Sequence, residues 1–211
     1  PIGVGTALYI HELAGQRQRA FLKPLIEVLA GVPSIVYGFF GMVIVAPFLQ
    51  DLLDIPTGLC AFTASLILGI MATPTVASLS EDALSFVPRS FREASLALGA
   101  NRWQTLTKVV VPAAGSGIST AIILGLGRAV GETMTVLMVA GGAAAIPKGI
   151  FDPVRPMTST IAAEMGEAVM GSLHFSALFA IGLILFLITL GVNVIAEVVS
   201  RRFRLKLGLG R

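Results

Sequence analysis

The chain has 211 residues, of which 55% are hydrophobic and only 13% are charged. A soluble domain usually carries about 25% charged residues, so this composition excludes an ordinary soluble protein and indicates an integral membrane protein. The single cysteine, Cys60, excludes an intrachain disulfide, and the net charge of +3 leaves nucleic acid open as a partner until the charges are placed.

Long apolar runs predict membrane-spanning helices in chain order. A helix needs roughly 20 apolar residues to cross the hydrocarbon core of a bilayer. The runs give a partial span at 1–10 and complete spans at about 25–49, 58–79, 117–140 and 175–199. Because the sequence starts at Pro1 without an initiator Met, we expect it to begin inside a longer chain whose first helix is missing. The predicted fold class is all-α, a polytopic transmembrane helical bundle forming one domain over residues 1–211.

The Lys and Arg residues gather in alternate connections between these spans. Twelve of the 15 lie in the loops 11–24 and 80–108 and in the tail 200–211. The connections 50–57 and 141–174 hold only Lys148 and Arg155. The positive-inside rule therefore predicts that the basic connections and the C-terminus are cytoplasmic. Membrane topology explains the basic charge, so we predict lipid and no nucleic acid around this chain.

The connection at about 80–112 is the longest of the predicted cytoplasmic loops, and a loop of this length usually has a function. Pro88 can open a helix, and good helix-forming residues follow it. Gly99 suits the end of that helix, Asn101 suits the start of another, and Pro112 closes the segment. The loop is predicted to contain two short helices joined at Gly99.

The stretch Leu126–Gly142, "LGRAVGETMTVLMVAGG", places an arginine and a glutamate inside the third complete span. An arginine near the bilayer centre costs about 2.5–3.5 kcal/mol on insertion scales, so Arg128 would be a poor choice for packing alone. The i, i+4 spacing puts Arg128 and Glu132 on one helical face. Two interpretations stay open: an internal salt bridge that fixes two helices, or a step in a path for an anion. In the second, the guanidinium binds phosphate-like oxygens and the hydroxyls of Thr133 and Thr135 add donors.

The loop carries a pattern that resembles the E-A-A-x-x-x-G-x(9)-I-x-L-P signature of bacterial ABC importer permeases. The matching positions are Glu93, Ala94, Ser95, Gly99, Val109, Val111 and Pro112. Ser95 stands for the second Ala, and two valines stand for Ile and Leu. The resemblance implies a MetI-like type I permease fold. It also implies a coupling helix, with Glu93, Ala94, Ser95 and Gly99, that docks on an ATPase subunit.

Three further stretches resemble PstC-type permeases of the high-affinity phosphate ABC importer more than their PstA-type sisters. They are "LKPLIEVLAGVPSIVYGFFG", "LGRAVGETMTVLMVAGG" and "FDPVRPMTSTIAAEMGEA". The resemblance implies import of inorganic phosphate across the inner membrane of a bacterium, with Arg128 and Glu132 in the phosphate pathway. The implied partners are a PstA-like sister permease, two ATP-binding subunits and an external phosphate-binding protein.

The sequence contains no phosphate-cradling G-x-x-x-x-G-K-[ST] motif, no metal-ligand spacing and no nucleophile–base pattern. We therefore expect no catalysis, metal or cofactor on this chain, with ATP and Mg²⁺ bound by a separate ATPase subunit. Three alternatives stay open: a permease for another oxyanion such as sulfate or molybdate, an ion-coupled anion carrier without an ATPase, and a membrane subunit that mainly signals phosphate status.

Overall fold

The computed structural model describes residues 1–206, with side chains described to residue 198. Within this range the chain is helical, and its only β-type pairing is an isolated bridge between Gly141 and Val154. The α-helices are α1 Ile2–Leu8, α2 Gln16–Gly31, α3 Ser34–Phe40, α4 Ala46–Leu53, α5 Ala61–Ser85, α6 Arg89–Ala97, α7 Arg102–Thr105, α8 Val111–Val130, α9 Met134–Val139, α10 Met157–Glu164 and α11 Leu173–Lys206. Three π-helical segments, Tyr9–Leu13, Gly41–Val45 and Leu106–Val110, continue α1, join α3 to α4 and join α7 to α8. Arg211 of the predicted basic tail lies outside the described residues.

The described part of the chain contains four helical stretches that are long and apolar enough to cross a membrane. They are Ser34–Leu53, Ala61–Ser85, Arg102–Val130 and Leu173–Val198. The predicted all-α transmembrane fold is therefore confirmed, although the bounds of the spans differ from the predicted ones, most of all for 25–49 and 117–140.

The span predicted at 25–49 starts later, because the helix is interrupted before Pro33. Helix α2 ends at Gly31, and Pro33 has an extended backbone with ψ of 139°. Proline has no N–H to donate and disfavours a helical conformation in the residue before it, here Val32. The membrane-length helix therefore begins at Ser34.

The span predicted at 117–140 is shifted in the opposite direction. Its helix begins at Arg102, passes Pro112 without stopping and ends at Val130. Just before Pro112, the backbone N–H of Val111 bonds to the carbonyl of Leu106, five residues back. This wider π-type turn is a known way for a helix to accommodate an irregularity, so the predicted stop at Pro112 is wrong.

The chain divides into two compact units. The first comprises Pro1–Gly31, Ala72–Gly127 and the chain from Val192. Its core joins α1, the end of α5 and the segment from Leu106 into α8. The buried core residues are Ala7, Leu84, Val87, Leu106, Val110, Ala114 and Ile118.

The second unit comprises Val32–Met71 and Arg128–Gly191. Its core consists of Ala64, Val136, Val139 and Ala140. Helix α3 packs closely on α9 because Gly38 has no side chain. A Cβ added there would lie 2.9 Å from the sulfur of Met138.

Candidate functional site

The four predicted pathway residues lie in the second unit, where the chain leaves α8. Arg128 is half-buried in the last turn of α8, and the chain is no longer helical at Glu132 and Thr133. The prediction that Arg128 and Glu132 share one face of a continuous helix is therefore wrong. Arg128 instead sits at the C-terminal end of a membrane-length helix, where exposed carbonyls favour a cation.

Side chains supply hydrogen bonds that the interrupted helix lacks. The Glu132 carboxylate accepts the backbone N–H of Thr135 at 3.2 Å. The Thr158 hydroxyl donates to the Glu132 carbonyl at 2.7 Å. Backbone groups inside a membrane protein need such partners, since lipid offers none. Specific hydrogen bonds thus stabilise the break between α8 and α9, and the Glu132 side chain acts at the start of α9 as a cap does.

Thr135 is completely buried, with 0% of its surface exposed. Its hydroxyl donates to the backbone carbonyl of Ser34, the first residue of α3, at 2.9 Å. The hydroxyl proton that is predicted to bind an anion is therefore used in a hydrogen bond within the protein. This bond connects α9 to α3. Thr133 is half-buried, and its hydroxyl makes only a long, 3.4 Å contact with the Gly131 carbonyl.

Thr158 was missed by the sequence analysis, although it bonds directly to Glu132. It is buried at the start of α10, in the connection that also contains Arg155. The hydroxyl run Thr158–Thr160 in an otherwise apolar stretch is a signal that could have singled it out. The roles of Arg128, Glu132, Thr133 and Thr135 in transport stay predictions.

The predicted coupling residues lie in the first unit, on α6 and the turn that follows it. Glu93, Ala94 and Gly99 are exposed, whereas Ser95 is buried and its hydroxyl lies 2.9 Å from that of Thr105 on α7. Ser95 therefore holds the two short helices together.

The turn between α6 and α7 has the local chemistry that the sequence predicts. Gly99 has a φ of +86°, which side-chain-bearing residues rarely adopt. Asn101 caps α7 by accepting the Gln104 N–H at 2.8 Å, and the Gln104 side chain accepts the Asn101 N–H at 3.0 Å. This reciprocal capping box fixes the start of α7.

A groove on this surface has a volume of about 600 Å³ and is lined by Phe91, Ala94, Leu98, Gly99 and Lys108, among others. Leu98 is 90% exposed and Phe86, just before α6, is 86% exposed. Of these two, Leu98 lines the groove, and a large apolar side chain exposed this fully in a groove is typical of a surface that binds another protein. Among residues 1–206, no three His, Cys, Asp or Glu side chains are grouped to hold a metal ion.

Comparison with known proteins gives the family. Residues 1–205 match the family described as binding-protein-dependent transport system inner membrane component. The chain is 39% identical over 203 residues to the probable ABC transporter permease protein YqgH of Bacillus subtilis, covering 96% of this chain and 66% of that protein. It is 38% identical over 227 residues to the phosphate transport system permease protein PstC of Pasteurella multocida, covering 99% and 70%. The chain thus spans about two thirds of the length of these relatives.

Solved structures show the fold. The methionine ABC transporter MetNI in an inward-facing conformation has a chain with a TM-score of 0.73 at 20% identity, covering 96% of this chain and 86% of that one. A bacterial ABC transporter involved in the import of alginate gives a TM-score of 0.63 at 14% identity, covering 96% and 72%. The MetI-like permease fold is confirmed. The chain belongs to the family of binding-protein-dependent transport system inner membrane components, as an ABC importer permease similar to the PstC proteins.

Proposed function

We propose that this chain is the channel-forming membrane subunit of an ATP-driven importer that moves inorganic phosphate into the cytoplasm. Phosphate is proposed as the substrate because the chain is similar, at 35–38% identity over 97–99% of its length, to three proteins named phosphate transport system permease protein PstC. The membrane of residence is the inner membrane of a bacterium, and the C-terminus is cytoplasmic.

Arg128 is the residue proposed to meet the anion. Its guanidinium offers a planar fork of donors that fits two phosphate oxygens. Glu132, four residues on, is anchored to the start of α9 through Thr135. A carboxylate held near the path reduces the net positive charge there, so that phosphate binds transiently and leaves.

Import of phosphate needs an energy source. Each negative charge that enters a negative-inside cell climbs about 2.3 kcal/mol per 100 mV. In this proposal two ATPase subunits bind ATP and Mg²⁺, and one of them docks at the groove beside Gly99, while this chain binds no cofactor. A PstA-like sister permease and an external phosphate-binding protein complete the complex.

Uptake measurements test the substrate and the role of Arg128 together. The complex is captured through a tag on the full chain and placed in liposomes. The phosphate-binding protein is added on the side that corresponds to the cell exterior, and MgATP on the side that corresponds to the cytoplasm. We expect ATP-dependent uptake of labelled phosphate that excess sulfate or molybdate does not inhibit. Arg128→Ala should lower uptake about 10- to 100-fold, since a charge-assisted hydrogen bond contributes about 1.5–3 kcal/mol. Arg17→Ala, at an exposed position on α2, is the matched control.

Each alternative predicts a different result. Inhibition by sulfate or molybdate as strong as by phosphate would indicate another oxyanion as the substrate. Uptake without ATP or an ATPase subunit would indicate an ion-coupled carrier. Normal uptake by the Arg128→Ala complex would remove Arg128 from the pathway.

A further inference from the structure

A cluster of charged side chains joins four segments of the first unit. It comprises His11, Glu12, Arg19, Lys23, Glu81, Asp82 and Arg92. These residues come from the π-helical segment after α1, from α2, from the last turns of α5, and from α6. We call this set the charge cluster. It contains the only described ion pair between α6 and another helical segment of this unit, Arg92 with Glu12.

Glu81 lies at the centre of the charge cluster, with 3% of its side chain exposed. One carboxylate oxygen accepts from Arg19 at 2.6 Å, and the other accepts from Lys23 at 2.5 Å. The hydrogen bond from Lys23 to Glu81 raises the pKa of the Lys23 ammonium above its ordinary value. A carboxylate buried this deeply requires such partners, because removing one of them leaves an uncompensated charge.

His11 connects Glu81 to α6. Its side chain is 7% exposed. Nε2 lies 2.9 Å from Nη2 of Arg92, and Nδ1 lies 3.2 Å from the Glu81 carboxylate. Nδ1 also lies 3.3 Å from Nη2 of Arg19, but that guanidinium makes its shorter bond, 2.6 Å, to Glu81. Arginine can only donate, so the closer approach of Arg92 makes Nε2 the acceptor, and Nδ1 carries the proton that is donated to Glu81. The neutral imidazole thereby links a residue of α6 to a residue of α5. With His11 neutral, three cations and three carboxylates balance within the charge cluster.

Arg92 is held from a second side by Glu12, the neighbour of His11. Nη2 of Arg92 lies 2.8 Å from the Glu12 carboxylate. Arg92 is on the same helix as Glu93 and Ala94, but those two side chains are exposed whereas Arg92 is partly buried against the segment Tyr9–Leu13. Helix α6 therefore has one exposed side and one side tied to the charge cluster.

Burying an ion pair is a poor way to gain stability, since apolar residues of similar volume often do as well or better. What a polar chain of contacts offers is a directional connection between separate helices. We propose that His11 is a positioning residue that transmits movement of α6 to the end of α5, by accepting a hydrogen bond from Arg92 and donating one to Glu81. This inference rests on the proposed function, in which the ATPase docks at the groove beside Gly99, and it adds that the docked α6 moves with the ATPase.

Hydrogen exchange of the whole complex tests the inference without a transported substrate. The complex with its ATPase subunits is placed in nanodiscs, with or without a non-hydrolysable ATP analogue. In the unsubstituted complex we expect the nucleotide to change exchange in α6, in Tyr9–Leu13 and at the end of α5. In His11→Ala, where Arg92 and Glu12 still link α6 to Tyr9–Leu13, the change at the end of α5 should be lost. His11→Gln should restore it, because the amide oxygen can accept from Arg92 while the amide nitrogen donates to Glu81.

The ratio of ATP hydrolysed to phosphate transported in liposomes gives a second measurement. We expect His11→Ala to raise it about fivefold, which is the effect of losing one hydrogen bond from the coupling pathway. His174→Gln is the matched control, since that histidine is in the second unit with 54% of its side chain exposed. A change in packing alone would lower stability without altering this ratio.

The outcomes separate this inference from the proposed function. Exchange in His11→Ala that matches the unsubstituted complex overturns the role of His11, whatever the substrate. If His11→Ala does not fold, Arg92→Leu breaks the same link from the α6 side. A nucleotide-induced change at the end of α5 of Arg92→Leu that equals the change in the unsubstituted complex then overturns the inference equally. An unsubstituted complex that hydrolyses ATP but moves no phosphate contradicts the proposed substrate and leaves the exchange test in force.

Discussion

The Glu132 carboxylate combines an observed contact with a proposed role in transport, and a substitution can separate the two. It accepts the Thr135 N–H at 3.2 Å and so stabilises the start of α9. It is also the negative charge nearest in sequence to Arg128. The cap requires only an acceptor atom, whereas control of anion binding requires the charge.

We therefore predict different effects for two variants of Glu132. Glu132→Gln keeps an acceptor and should change the free energy of unfolding by less than about 0.5 kcal/mol. Glu132→Ala removes the cap and should cost about 1 kcal/mol. Both variants should lower phosphate uptake. Thermal unfolding of the purified complex and liposome uptake are the measurements, with the exposed Glu167→Ala as the control. Normal uptake by Glu132→Gln would show that Glu132 acts only as a cap.

Among the helices, the ends that are determined by residues nearby in the chain could be predicted from the sequence. Both ends of α6 and the start of α7 follow from Pro88, Gly99 and Asn101, each acting within a few residues of its position. The break after Val130 could not be predicted, because its partners are distant. Thr158 is 26 residues from Glu132, and Ser34 is 101 residues from Thr135. The residues close to the break contain no sign of these distant bonds.

The proline residues show the same limit on predicting helix ends from the sequence. Pro33 interrupts the helix before it, whereas Pro74 lies inside α5 and Pro112 lies in a continuous helix. The residue is identical in each case, so the outcome depends on how neighbouring carbonyls find partners. The sequence therefore predicted the number and order of the membrane helices better than their ends.

Gly99 gives a prediction about the surface formed by α6 and α7. Alanine at a φ of +86° costs about 1–2 kcal/mol, so Gly99→Ala should reorient the two helices. We expect less ATPase subunit to co-purify with the tagged chain, by about fivefold or more. Gly15→Ala is the control, since Gly15 faces open space and has no positive φ. Full recovery of the ATPase with Gly99→Ala would mean that this groove is not the docking surface.

At the scale of the whole molecule, the distribution of charge predicts one orientation in the membrane. With the spans as the structure has them, the connection at 86–101 still carries Arg89 and Arg92, and α2 still carries Arg17, Arg19 and Lys23. The connections 54–60 and 131–172 still carry only Lys148 and Arg155. The corrected helix ends therefore leave the predicted orientation unchanged, because the positive-inside rule counts charges near the ends of spans.

Cysteine labelling in intact cells tests that orientation. Cys60 is the chain's one cysteine and is fully buried, so Cys60→Ala provides an unreactive background in which single cysteines can be placed. We expect Lys148→Cys to react with a membrane-impermeant maleimide from outside, because its connection is external. Arg17→Cys should react only after the cells are permeabilised, because α2 belongs to the basic, cytoplasmic set. The background variant without an added cysteine controls for labelling of other sites. Labelling of Arg17→Cys from outside would invert the topology, and it would place α6, the charge cluster and the groove beside Gly99 on the side of the membrane that has no ATP.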